Sequence, residues 1–302
     1  MKILLIIPFF GKTPGWMDYF LLSCSYNPNI NWLLYSDIVI KSELPKNVHL
    51  EKVNLEDFNK LATSRLNLPV RIINPYKICD FRPAFGQIFS DFIEDFDFWG
   101  YCDLDLVFGR IFNFIQPEHL LEYDVITTKK NYFSGHFTIY RNNKESREFY
   151  KKIWNVKNIL KDNNKHFAID EKSNLIGRKI YGNNKNLCIP YQNFIQRGIN
   201  TFKYRFYKMM KFKFDQTKVL NHEERKENIK ILRLDCVRSD FFYIKQKRHD
   251  WKAEWKEGIL FDHIAKMEIM YFHFLMAKKN YFKIVPYQNQ NMFYLSKDGL
   301  QD

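Results

Sequence analysis

Phe98-Trp99-Gly100-Tyr101-Cys102-Asp103-Leu104-Asp105-Leu106-Val107-Phe108-Gly109 is an apolar run that carries two carboxylates. A run of this kind predicts a buried strand, and in a strand residues i and i+2 share a face. Asp103 and Asp105 can therefore converge on one point while Leu104 and Leu106 turn back into the core. Two carboxylates so placed repel each other unless a cation lies between them. A hard divalent ion, Mg²⁺ or Mn²⁺, suits the position, because it takes oxygen ligands from one or two carboxylates and completes its shell with water and substrate phosphates. An isolated Asp-x-Asp is also a common solvated turn, so the rest of the chain has to decide between a site and a turn.

On either side of this run the chain alternates strand and helix. Residues 3–7, 32–36 and 48–53 read as strands, residues 16–26, 55–66 and most of 75–96 as helices, and residues 124–128 and 137–141 as further strands. Pro83 is tolerated if it lies in a first helical turn. This β-α-β-α order predicts an α/β fold, a mostly parallel sheet flanked by helices on both faces. In such sheets ligands bind beyond the carboxyl ends of the strands. Residues 8–11, Asp37, and Asp103 with Asp105 all fall at those ends. No internal repeat or low-complexity linker interrupts the chain, and no clean boundary precedes about residue 200. One main domain over residues 1–200 is expected, with an α-rich C-terminal extension over residues 201–302 packed on it.

At 302 residues, 46% hydrophobic and 18% aromatic, the chain can bury a sizeable core and is too apolar for a disordered protein. Its cysteines, Cys24, Cys79, Cys102, Cys188 and Cys236, are odd in number and lack a Cys-x-x-Cys spacing, so neither a disulfide framework nor a zinc motif is suggested. A cytoplasmic, reducing location is expected. The start imitates a lipoprotein signal, with Leu21-Leu22-Ser23-Cys24 after an apolar segment, but Pro8, Gly11, Lys12, Pro14, Gly15 and Asp18 interrupt it. No stretch reaches the roughly 20 apolar residues of a membrane span. The net charge of +13 implies acidic partners: nucleic acid, anionic lipid or phosphorylated substrates. Much of the excess lies in Lys203-Tyr204-Arg205-Phe206-Tyr207-Lys208-Met209-Met210-Lys211-Phe212-Lys213-Phe214. Interleaved cations and rings suit peripheral contact with an anionic inner membrane, the stacking of nucleic-acid bases, or simply the lysine-rich outer face of a half-buried element.

Four segments in order carry a resemblance: a strand followed by Pro8-Phe9-Phe10-Gly11; Pro75-Tyr76-Lys77-Ile78-Cys79-Asp80-Phe81-Arg82-Pro83-Ala84-Phe85-Gly86; Phe96-Asp97-Phe98-Trp99-Gly100-Tyr101-Cys102-Asp103-Leu104-Asp105; and Ser134-Gly135-His136-Phe137-Thr138-Ile139-Tyr140-Arg141-Asn142. The set resembles a group of bacterial capsule and surface-polysaccharide glycosyltransferases, over roughly residues 1–175 with a further match near His273. The resemblance implies a GT-A-like fold, whose Asp-x-Asp motif, matched here by Asp103 and Asp105, holds Mn²⁺ or Mg²⁺ on the diphosphate of a nucleotide-sugar donor. It implies a UDP-sugar donor ahead of a GDP-sugar, and a glycan or lipid-linked oligosaccharide acceptor in capsule, O-antigen or lipooligosaccharide synthesis. In related retaining enzymes a late histidine ligates the metal and a nearby lysine binds the diphosphate. By resemblance His273 and Lys278 take those roles.

The chemistry assigned to the remaining residues follows from sugar transfer itself. It develops negative charge on the departing diphosphate and oxocarbenium character at the anomeric carbon. A metal bridging the phosphates neutralises the leaving group without proton transfer, which makes Asp105 both ligand and catalytic residue. Lys77 and Asp80 fall where similar enzymes approach the donor, Lys77 on phosphate or base and Asp80 on sugar hydroxyls, with Arg82 able to hold Asp80. A surface ion-pair cluster is the plainer alternative. Pro8, Phe9, Phe10 and Asp37 border the expected nucleobase and ribose pocket, where Phe10 either stacks on the base or caps the core. Ser134, Gly135 and His136 open a strand where related folds line the sugar pocket, and the glycine lets donor or acceptor approach the backbone. Asp170 or Glu171 is the general base if configuration inverts. If it is retained, the same carboxylate orients the donor and stabilises positive charge. The order of segments is more like the retaining group, while a helix-capping carboxylate is the ordinary alternative. A Mg-dependent phosphotransfer protein would also use paired aspartates, but there is no Walker glycine loop and no further acidic cluster for a second metal. A basic nucleic-acid-binding module would not need carboxylates at strand ends, so no nucleic acid is expected as partner.

Overall fold

The computed structural model describes residues 1–129, 132–153, 155–172, 222–226, 229–246, 250–275, 283–285 and 291–301. The first half alternates as its apolar spacing predicts: β1 (Ile3–Phe9), α1 (Met17–Ser25), β2 (Ile30–Ser36), β3 (Val48–Lys52) and α2 (Leu55–Leu66), then β4 (Phe98–Cys102), β5 (Leu106–Phe108), β6 (Val125–Thr127) and β7 (Phe137–Arg141). With β8 (His222–Lys226) and β9 (Ile229–Arg233), all of these strands except β5 build an eight-stranded sheet of order β3-β2-β1-β4-β7-β6-β9-β8. The neighbours from β3 to β4 are parallel, as are β6 and β9, whereas β7 runs antiparallel to both β4 and β6. The sheet is α/β and mostly parallel, as expected.

β1 is an interior strand, between β2 and β4, and is buried on both faces. Leu4 and Ile6 face one core cluster, shared with Phe58 and Ala62 of α2 and with Trp99 and Tyr101 of β4. Ile3, Leu5 and Ile7 face the other, shared with Phe20 and Leu21 of α1 and with Trp32. α2 has the predicted bounds because its signals are local. Asn54 caps the N–H groups of Glu56 and Asp57, Asp57 returns a bond to the Asn54 N–H, and Asn67 ends the helix in the left-handed conformation.

The helix expected over most of residues 75–96 is present but is largely of 3₁₀ type: a 3₁₀-helix, Pro75–Ala84, leads into one α-turn, Phe85–Ile88, and a further 3₁₀ turn, Ser90–Ile93. Pro83 lies inside the first, where its missing N–H and its ring prevent a regular α-helical ladder. The expectation of an α-rich C-terminal part is not met among the described residues. Beyond residue 221 the described residues hold one short helix, Asp240–Lys245, and otherwise strands: β8, β9, β10 (Val237–Ser239), β11 (Lys252–Lys256), β12 (Ile259–Asp262), β13 (Met267–Glu268), β14 (Tyr271–His273), β15 (Lys283–Ile284), β16 (Met292–Ser296) and β17 (Gly299–Gln301). Their apolar residues alternate with period two, as with Ala253 and Trp255 turned in against Phe293 and Leu295. β9 is part of the main sheet, and β14 joins β10 and β5 in a three-stranded sheet, so strands from both ends of the chain share one structure. The boundary expected at residue 200, the basic stretch 203–214 and Lys278 lie outside the described residues. Among the described residues no helix is long and apolar enough to cross a membrane.

Candidate active site

The parallel strands β1, β2 and β4 end at one edge of the sheet. A cleft of about 710 Å³ opens there, lined by Pro8, Phe9 and Phe10 at the end of β1 and by Asp103 and Asp105 after β4. The turn between β4 and β5 is held from three directions. The Asp103 N–H donates to the His136 carbonyl (3.2 Å), Trp16 Nε1 donates to the Leu104 carbonyl (2.8 Å), and the Phe274 N–H donates to the Asp105 carbonyl (3.2 Å). β5 pairs antiparallel with β14, and that register sets Leu106 opposite His273. The imidazole thereby comes beside Asp105, with Nε2 3.3 Å from Oδ2. One ligand atom from each of Asp103, Asp105 and His273 lies within 4.8 Å of the others.

A divalent ion about 2.1 Å from each donor atom needs those atoms roughly 3–4 Å apart, a spacing the Asp105–His273 pair already has. Two carboxylates and an imidazole at the end of a cleft therefore fit Mn²⁺ or Mg²⁺. His136 backs the imidazole, with ring centroids 4.6 Å apart. Its Nδ1 is 2.7 Å from the Tyr271 hydroxyl, which also bonds Thr128. Burial, with His273 and Lys129 adding to it, holds the His136 imidazole well below its ordinary value, so it is neutral.

Arg82 joins the two acidic parts of the cleft. Its guanidinium pairs with Asp103, with Asp170 Oδ2 at 3.0 Å, and with the Gly135 carbonyl. This corrects the expected Arg82–Asp80 contact. Burial raises the Asp170 carboxyl despite Arg82, and burial followed by the Asp170 charge raises that of Glu171. Gly135 permits the approach of this pair: a Cβ there would stand 2.9 Å from Asp170 Oδ2 and 3.2 Å from Glu171 Cγ.

Other expected site residues sit elsewhere. Lys77 and Asp80 have no exposed side-chain surface and pair at 2.8 Å. Lys77 Nζ also donates to the carbonyls of Ile159 and Lys165, and Asp80 accepts from the N–H groups of Phe167 and Ile169. Their hydrogen-bonding capacity is spent on tying Pro75–Ala84 to residues 159–169, so direct contact with a donor is replaced by a supporting role. Asp80 also forms a second possible ligand group with His166 and Asp170, which the sequence did not suggest, although its oxygens already have these partners. Phe10 is buried edge-on against Phe58, at 6.4 Å, and caps the core while lining the cleft. Asp37 lies outside the cleft wall, and its Oδ1 accepts the N–H of Gly11, whose φ of +139° suits glycine. Ser134 is fully buried behind the wall, whereas Gly135 and His136 line it. Tyr76 and His166 are among several lining residues, Lys12 and Trp16 with them, for which no role was expected. An exposed tyrosine beside a helix-starting proline was the available signal for the first.

Fold and site define an α/β protein with a carboxylate–imidazole cluster in a cleft at the carboxyl edge of its sheet. The chain belongs to a family described as a family of unknown function (DUF6625), which matches residues 5–302. No curated protein matches the sequence. Two solved structures with partial likeness are of the galactosyltransferase LgtC. One, in complex with donor and acceptor sugar analogues, is 15% identical with a TM-score of 0.35, over 58% of this chain and 70% of that one. The other, an active-site mutant of LgtC, is 14% identical with a TM-score of 0.36, over 63% of this chain and 81% of that one.

Proposed function

We propose that the protein is a metal-dependent glycosyltransferase of GT-A-like fold that moves a sugar from a nucleoside-diphosphate donor to a glycan or lipid-linked acceptor of a bacterial surface polysaccharide. The observation that carries this reading is the meeting of Asp105 and His273, 168 residues apart in sequence, beside Asp103 at the end of the cleft. A solvated Asp-x-Asp turn would need no such partner and would not be buried, whereas Asp105 and His273 are.

Asp103, Asp105 and His273 would hold the ion, and the imidazole in the set favours Mn²⁺ over the harder Mg²⁺. When bound, the ion neutralises charge developing on the diphosphate. Pro8, Phe9 and Phe10 form the wall for the nucleobase, with UDP favoured over GDP, and Phe10 serves there as a fixed wall held by Phe58. Gly135 and His136 line the space for the transferred sugar. The acceptor oxygen forms its bond to the anomeric carbon as the bond to the diphosphate breaks, and its proton leaves by one of two routes. In a retaining transfer, the route favoured, the proton passes to the departing phosphate oxygen, and Asp170, fixed by Arg82, stabilises positive charge on the sugar. In an inverting transfer Glu171, whose carboxyl is raised by burial, takes the proton. Lys278, outside the described residues, is proposed to bind the diphosphate.

A panel of nucleotide sugars incubated with the protein and Mn²⁺, without acceptor, tests the reading by release of nucleoside diphosphate. One donor should be hydrolysed, and Asp105→Asn should lower the rate by about 100-fold or more with its circular dichroism unchanged. Hydrolysis that survives both this substitution and chelation would refute it.

A further inference from the structure

We propose that Tyr76 is a stacking platform for a hexopyranose ring of the acceptor glycan, an inference that rests on the glycosyltransferase reading. Eight large apolar side chains are exposed among the described residues, and of these Tyr76 alone lines the cleft. The residue is 63% exposed. A single exposed aromatic on an open surface is ordinary, but one that lines a cleft offers apolar surface for a ligand to cover.

The backbone beneath the ring is tied down. Asn74 Oδ1 accepts the Tyr76 N–H at 3.0 Å, and the Lys77 N–H returns to the Asn74 carbonyl at 2.9 Å. The next side chain, Lys77, is locked against Asp80. On one side the Tyr76 ring meets His166, with centroids 4.6 Å apart and planes at 68°. The backbone and the His166 contact are thus in place before any ligand arrives, which lowers the ordering cost of binding.

The surroundings identify the ligand class. His166, Asp170 and Glu171 line the same cleft, so an apolar ring face stands near acidic and imidazole groups. A hexopyranose has that pairing of surfaces: a face of C–H groups that lies on an aromatic ring, and equatorial hydroxyls that donate to carboxylates. Small-molecule pockets bury most of their ligand, so a residue nearly two-thirds exposed at the mouth suits a ligand that continues out of the cleft. An oligosaccharide acceptor does so.

Saturation-transfer NMR with methyl α- and β-hexopyranosides, on protein saturated with Mn²⁺ and UDP or GDP, reads this contact. Wild type and Tyr76→Phe should bind at least one pyranoside with similar Kd, and Tyr76→Ala should weaken it about tenfold. The thermal shift produced by Mn²⁺ and nucleotide should be the same in all three proteins, as should the affinity for the nucleotide sugar. Equal pyranoside affinity in Tyr76→Ala, or no pyranoside bound by wild type, overturns the platform. A Tyr76→Ala loss confined to the nucleotide sugar would place the ring on the donor and overturn the acceptor assignment. Absence of any Mn²⁺-dependent nucleotide shift in wild type is a different failure, that of the transferase reading.

Discussion

Replacing Arg82 by Gln removes a cation that holds two carboxylates and a carbonyl from separate elements. The side chains concerned are mostly buried: 16% exposed for Arg82, 24% for Asp103 and 4% for Asp170. Truncating one partner of a buried ion pair costs about 3–5 kcal/mol, because the other charge is left uncompensated. Solvent reaches Asp103 and screens part of that cost, which puts the expected loss near the lower bound, about 3 kcal/mol. At roughly 2 °C per kcal/mol for a chain of this size, the Tm should fall by about 6 °C. The loss should also depend on pH. The Asp170 carboxyl already titrates above its ordinary range because burial outweighs the guanidinium, and without the guanidinium it rises further. A carboxyl whose folded pKa exceeds its unfolded one gains a proton on folding, so its contribution to stability increases as pH falls through the raised value. The variant should therefore be most destabilised at neutral pH and recover towards wild type in mild acid. Urea denaturation at both pH values measures this. A loss below about 1 kcal/mol at neutral pH, or one that grows on acidification, would refute the bridging role.

His273→Ala should raise the Mn²⁺ concentration for half-maximal thermal shift about tenfold or more; an unaltered Mn²⁺ titration would return the imidazole to a packing role. Gly135→Ala places a methyl group 2.9 Å from Asp170 Oδ2 and should cost about 1–3 kcal/mol as Asp170 and Glu171 are pushed back. Transfer to acceptor should fall while the Mn²⁺–nucleotide shift persists, and full transfer would show that those carboxylates lie away from the reacting sugar.

The parts legible in the sequence are those encoded locally. β1, β2 and α2 follow from short apolar periods, and the Asp103–Asp105 pair from its place in an apolar run, although that run was expected as one strand and instead breaks into β4 and β5 with the pair in the turn between them. Lys77 and Asp80 were misread because a polar pair in a helical segment looks the same whether it faces a ligand or supports a loop. Only the carbonyls of Ile159 and Lys165 and the N–H groups of Phe167 and Ile169 decide between the two, and these lie some 80–90 residues away. The strands of the C-terminal part were missed for a related reason, since their pairing with one another and with β5 is long-range and their individual runs are short.

The position of β14 bears on why the cleft exists at all. A carboxylate taken from water loses several kcal/mol of solvation, and an apolar side chain at Asp105 would stabilise the β5 turn better. The chain instead buries Asp105, brings Asp103 within ligand distance, and through the pairing of β5 with β14 sets His273 at 3.3 Å. His136, neutral and tied to Tyr271, adds no cation beside them. An arrangement that accumulates negative charge at the end of a cleft, supplies Arg82 on one side only and ends its strands there is costly for the fold alone. Under the proposed function that cost would be recovered when a cation and an anionic substrate enter together, which would tie the strand order of the sheet to the chemistry proposed for its edge.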